Sequence, residues 1–342
     1  MCGACPNVII GRMGGKKLRN LTKACIAFFV AWGMCTSLAS AQTWPTKPVK
    51  LINGFPAGGG TDILARLVAE RLAVALGQPV TVENRSGANG LIAAKAVASA
   101  PHDGYTILLY TMSMACTSPV MPGVTLNFDP DKDLMPISVI ASVDNLLYVS
   151  PKTPFRTVKE IIDYAKVNPG KLTYASSGLG GSYHLWAAQF SYMTGINMVH
   201  VPFRGGPPAI TEIIAGRVDM MFGNLAEILP HIRSGAVRAI AFTSDPPSRV
   251  LPDVPTVAQS GLPEYRADNW FGIGTPSGTH QEIVNRLNAE INKMVKTKEF
   301  ADRLVSLGFQ PLGGTVDDMK QAIQRDRAKW KAVIEAQGIR AE

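Results

Sequence analysis

The stretch Phe55-Pro56-Ala57-Gly58-Gly59-Gly60-Thr61-Asp62 is the part of this sequence best suited to chemistry. An apolar run precedes it and an amphipathic run follows, so it reads as a turn from a strand into a helix. Glycines let a backbone come close to a ligand. The free N–H groups and positive end of a starting helix suit an anion. Turn formation, with Thr61 or Asp62 as an ordinary N-cap, accounts for the same residues without a ligand. The run is neither G-x-x-x-x-G-K-S/T nor G-x-G-x-x-G, so nothing in it demands a phosphate.

A second turn has the same form. Tyr174-Ala175-Ser176-Ser177-Gly178-Leu179-Gly180-Gly181-Ser182 follows one strand-like run and opens another helix, with His184 just inside it. Two such helix starts, one on each side of a cleft, would grip the two ends of one acid. Capping and turn chemistry is the alternative for Ser176 and Ser177.

Catalytic patterns are absent. His102, His184, His200, His231 and His280 are scattered and none belongs to an H-E-x-x-H or another compact metal pattern. There is no G-x-S-x-G elbow, and Cys116 lacks a recognisable partner motif. These residues imply no enzyme, no metal and no cofactor. Trp270 and Phe271 read as core or cleft wall. The segment carrying Arg325, Arg327, Lys329 and Lys331 also holds Asp326 and Glu335 and reads as a solvated helix face.

The elements that must position the two turns alternate between strand-like and helical runs, which predicts an α/β fold with two mostly parallel sheets flanked by helices. Strands are expected at 49–53, 80–83, 105–111, 145–149, 172–175, 198–201, 218–222, 237–242 and 270–274. Helices are expected at 62–76, 91–99, 158–167, 183–193, 208–215 and 226–232, with two or three more to the end. A proline-rich connection, 246–263, has no regular period. The chain leaves one lobe near residue 145 and returns near 268. That predicts a discontinuous first lobe, 42–144 plus 268–342, a second lobe, 145–267, and a two-strand hinge.

The first 41 residues read as an export leader. Lys16, Lys17, Arg19 and Lys23 precede an apolar run, Ala24 to Leu38, and Ala39-Ser40-Ala41 supplies a small-x-small cleavage site. The run is too short to span a bilayer. Cleavage near Ala41, from a start at Met1 or Met13, would release the protein into the periplasm. Removing this segment takes five of the 34 basic residues and none of the 26 acidic ones, so the net charge falls from +8 to +3. Nucleic acid then has little support. Cys2, Cys5, Cys25 and Cys35 leave as well. Cys116 remains alone, and the exported protein must be held by its core rather than by disulfides.

From about Trp44 to Ile339 the sequence resembles the substrate-binding proteins of tripartite tricarboxylate transporters, the Bug family. Its marks are the first glycine turn, Val82-Glu83-Asn84-Arg85 with Gly87 and Gly90, and Asp103-Gly104-Tyr105-Thr106. Tyr174 to Gly178, His200-Val201-Pro202-Phe203-Arg204-Gly205 and Leu251-Pro252-Asp253-Val254-Pro255-Thr256 complete the set. The resemblance implies a type II-like two-lobe periplasmic binding protein, expected as a monomer. It would hand a small carboxylated solute to a permease with one large and one small membrane subunit. It also implies a carboxylate held by Gly58, Gly59, Gly60 and Thr61 on one side and by Ser176, Ser177 and Gly178 on the other. Phe55, Asp62, Thr111, Ser113, Ser182, His184, Arg204, Gly205, Gly223 and Asn224 are the further candidates. Many relatives carry an aspartate where Gly223 stands, before Asn224. Its loss removes a host for an ammonium group and favours a dicarboxylate or aromatic acid over an amino acid. The alternatives are a sensor subunit that presents its solute, or an enzyme in the same cleft.

Overall fold

The computed structural model describes residues 44–244, 248–336 and 338–340. The leader expected over 1–41 lies outside the described residues, as do 245–247 of the proline-rich connection. Pro45 to Glu342 form one compact unit.

The unit is assembled from strand–turn–helix repeats. Strand β1 (Val49–Asn53) leads through the first glycine turn into α1 (Gly60–Leu76). Leu64, Val68, Leu72 and Leu76 recur at helical spacing along α1 and are all buried. Each such leucine contributes about 1.5–3 kcal/mol by leaving water. Gly77, at φ +69°, stops the helix in a left-handed cap. Strand β2 (Val80–Asn84), helix α2 (Leu91–Ala98) and strand β3 (Thr106–Thr111) follow.

After an irregular stretch the chain forms β4 (Leu134–Val143) and, past the single residue Asp144, β5 (Asn145–Val149). The next elements are α3 (Val158–Val167), β6 (Thr173–Ser176), α4 (Ser182–Thr194), β7 (Val199–Pro202) and α5 (Gly206–Ala215). Then come β8 (Met220–Asn224), α6 (Leu225–Arg233) and β9 (Arg238–Phe242). Helix α3 begins with a capping box, the Thr157 side chain bonding the Glu160 N–H and Glu160 reaching back. Strand β10 (Trp270–Pro276), helices α7 (Gln281–Lys296) and α8 (Lys298–Ser306), strand β11 (Phe309–Pro311) and helix α9 (Val316–Ala336) finish the unit.

The strands segregate into two sheets, ordered β11-β4-β10-β3-β1-β2 and β7-β6-β8-β5-β9. Both are mixed. The βαβ units keep β1, β2 and β3 parallel, and likewise β6, β7 and β8. Strands β4, β5 and β10, where the chain changes sheets, pair antiparallel with their neighbours. The two crossing segments are tied together, Thr243 N–H to the Asn145 carbonyl (2.8 Å) and Val143 N–H to the Asn269 carbonyl (3.1 Å).

One local expectation is corrected. Arg327 is not simply solvated: its guanidinium donates to the Ala115 carbonyl (2.6 Å) and pairs with Asp131. Cys116 is buried, its thiol turned toward the Ile323 carbonyl, and burial raises its pKa strongly, so it is inert. Among the described residues no helix is long and apolar enough to cross a membrane.

Candidate functional site

The first glycine turn delivers bare backbone to the cleft. Gly58 lies at φ +80°, and Gly59 is the residue that caps α1, with no side chain closing the helix end. Thr61 and Asp62 therefore sit inside the first turn rather than at the cap. Asp62 accepts the Gly58 N–H (3.0 Å), Arg66 Nε (2.9 Å) and Asn84 Nδ2 (2.9 Å). Burial alone would raise its pKa, but these donors outweigh it and hold the carboxyl below the usual range. Asp62 is thus a brace for the turn.

The second turn is braced by histidines. Gly178 and Gly180 take φ +136° and +69°, and Gly181 caps α4, again without a side chain. Ser176 Oγ lies 2.6 Å from His200 Nε2 and accepts the Gly178 N–H (3.1 Å), while His184 Nδ1 accepts the Gly180 N–H (3.0 Å). The two imidazoles stack with centroids 4.2 Å apart, and Tyr174 stacks on His200. Burial lowers His184 to about 4. Burial, then its neighbour His184, lowers His200 to about 3. Both rings are neutral at physiological pH. Ser176 is fully buried and also bonds the Gly178 carbonyl, so the Ser176–His200 pair holds the turn's shape.

Between the turns lies a narrow inner pocket of about 40 Å³. Gly59, Gly60, Thr61, Thr111 and Ser113 line it from the first sheet's side. Ser177, Ser182 and Asn224 face them from the second. An outer cavity of about 500 Å³ opens beyond, bordered by Gly178, Arg204 and Gly205, with Phe55 and Ser177 shared between the two. Of the expected site residues, Gly58, Asp62, Ser176, His184 and Gly223 line neither space. The first four shape the turns. A Cβ on Gly223 would come within 3.2 Å of Tyr148 and 3.6 Å of Glu227 Oε1.

Sequence reasoning missed the residue at the centre. Glu227, in the first turn of α6, is 7% exposed and aims its carboxylate across the cleft. Oε2 accepts the Gly60 N–H (3.2 Å) at the start of α1, and Oε1 accepts the Tyr183 hydroxyl (2.5 Å). The Asn224 N–H donates to the Tyr183 hydroxyl oxygen (3.4 Å), and burial raises the Glu227 pKa despite its donors. A Cβ on Gly206, at the start of α5, would meet Oε2 at 2.4 Å, so only glycine admits the carboxylate there. The buried Oδ1 atoms of Asn224 and Asn269, both on the inner pocket, have no hydrogen-bond partner. A lone acid amid Leu225, Ala226, Ile228 and Leu229 was the available signal. Among the described residues no group of histidines, cysteines and acids could hold a metal ion.

Residues 64–339 match the family model described as "Tripartite tricarboxylate transporter family receptor". BugT of Bordetella pertussis is 34% identical over 94% of this chain and 99% of its own. The solved structure of R. palustris Rpa4515 with adipate is 37% identical, with a TM-score of 0.84 over 87% of this chain and 99% of that one. MatC (Rpa3494) from Rhodopseudomonas palustris, with bound malate, is 29% identical, with a TM-score of 0.80 over 85% of this chain and all of that one.

Proposed function

Since the chain belongs to the tripartite tricarboxylate transporter receptor family, we propose that it captures a small organic acid, a dicarboxylate or aromatic acid in preference to an amino acid, in the periplasm. It delivers that solute to the membrane permease of a tripartite transporter. The lobes that close on the solute are 42–144 with 268–342, and 145–267. The solute carboxylate takes the bare N–H groups of the first glycine turn, met from the other side by hydroxyls of the second. The observation that carries this reading is Gly60: its N–H, at an uncapped helix start inside the cleft, already binds a carboxylate, that of Glu227. The adipate and malate in the related structures support the same class of ligand.

Gly223 lines neither space, so the missing acid at that position is not what disfavours an amino acid. An acid is present after all, at Glu227, but the Gly60 N–H and the Tyr183 hydroxyl already occupy its oxygens. It is therefore a poor host for an ammonium group. A thermal-shift screen of the 42–342 protein against mono-, di- and aromatic carboxylates and amino acids tests the proposal. A ligand at 100 times its Kd stabilises by about 2.7 kcal/mol, so a true ligand stands out. Stabilisation by amino acids alone would contradict it.

A further inference from the structure

We propose that Glu227 is a resident anion of the inner pocket, which a solute carboxylate displaces only when Glu227 takes up a proton. The inference rests on the carboxylate-binding function above and adds a rule for how that binding is regulated.

The geometry makes the side chain a stand-in for ligand. Glu227 reaches from the second sheet's side to the Gly60 N–H, 167 residues away in sequence, at the point where a ligand's carboxylate would be expected. Gly206 leaves room for its oxygens, and the Tyr183 hydroxyl completes the seat. With Glu227 in place the pocket retains about 40 Å³, far less than a dicarboxylate needs.

Among the described residues, the groups that face Glu227 supply no compensating cation. Helix α4 presents Tyr183 and strand β5 presents Tyr148, both kept neutral by burial. Helix α1 contributes Asp62, whose charge is matched by Arg66. On α6 itself, His231 and Arg233 lie in the last turn. Arg204 borders the outer cavity. A solute carboxylate arriving in the seat would bring a second negative charge into a buried site, and two carboxylates so placed do not both stay ionised. The proton balance is simple. One proton leaves solvent for the Glu227 carboxylate, and the solute's carboxylate replaces it on the donors, so the pocket's net charge is unchanged. Burial, which already raises the Glu227 pKa in the free protein, works in the same direction.

The test is calorimetric titration of the 42–342 protein with adipate at pH 5.5, 6.5 and 7.5, in two buffers of different ionisation enthalpy, for wild type and Glu227→Gln. For wild type, uptake approaching one proton per adipate and a Kd that weakens up to tenfold per pH unit are expected. Glu227→Gln should bind with no pH dependence from this residue, and at pH 7.5 at least tenfold more tightly than wild type. The wild-type proton count stands alone if the variant folds poorly. Adipate binding without proton uptake, or a Gln variant weaker than wild type at every pH, would overturn the inference and leave the proposed function standing. Failure of adipate, malate and a panel of dicarboxylic and aromatic acids to bind either form at any pH would overturn both.

Discussion

The Asn89 side-chain amide donates to the Leu179 carbonyl across the cleft, joining the loop before α2 to the second glycine turn. Ala88 and Asn89 both hold positive φ, +48° and +51°, a strained geometry that asparagine tolerates better than most residues. The same Asn89 Oδ1 stands where a Cβ on Gly178 or Gly181 would come within 3.0 and 2.8 Å. The loop is a latch whose catch accepts it only because those residues are glycine.

Asn89→Gly should therefore loosen closure without adding backbone strain. It removes one hydrogen bond across the cleft, on the order of 1 kcal/mol, and is expected to weaken ligand binding about fivefold. Calorimetric titration against wild type checks this, and an unchanged Kd would show that the contact does not favour the liganded state.

Gly59→Val should leave the fold intact and weaken binding at least tenfold, about 1.4 kcal/mol. A Cβ at 59 meets nothing closer than 3.5 Å, and φ is an ordinary −76°, so the backbone tolerates the change. The valine methyls, however, enter an inner pocket of only about 40 Å³. Retained melting temperature with lost binding is the expected pair of results.

Gly223→Asp should destabilise the protein rather than simply retune its ligand. The new side chain would press on Tyr148 and bring a second carboxylate against Glu227. A buried, poorly paired acid costs several kcal/mol, reduced where the pair shares a proton. Urea unfolding at pH 7.5 should show a loss of about 2 kcal/mol or more, smaller at pH 5. An unchanged midpoint together with a gain in amino-acid affinity would restore Gly223 as a ligand-facing position.

The histidine brace predicts a pH dependence of stability. His184 titrates lower in the fold, at about 4, than in the unfolded chain, near its ordinary 6.5. The unfolded state thus binds more protons below pH 6.5, and the brace's stability, full above that pH, is lost as pH falls toward 4. Between pH 7 and pH 5 His184 accounts for about 2 kcal/mol. His184→Asn places an acceptor near Nδ1 without the titration. Its unfolding free energy should vary less than that of wild type over this range.

Sequence periodicity located most elements because their faces are regular, as in α1, where every fourth residue is buried. It missed β4, where Met135 and Pro136 interrupt the pattern, and β11, which is only three residues long. The two glycine turns were legible from composition. Their inner supports were not, because Asp62–Asn84, His184–Gly180 and Ser176–His200 depend on which side chains the sheets bring together. Glu227 was hidden for the same reason: its donors Gly60 and Tyr183 lie 167 and 44 residues away.

The Gly60 end of α1 is proposed as the seat of a solute carboxylate. A crystal structure of the 42–342 protein grown with adipate at pH 5.5 tests it most directly. The predicted result is an adipate carboxylate on the Gly60 N–H and the Tyr183 hydroxyl, with Glu227 swung off both. Adipate confined to the outer cavity beside Arg204, with Glu227 still bonded to Gly60, would contradict it.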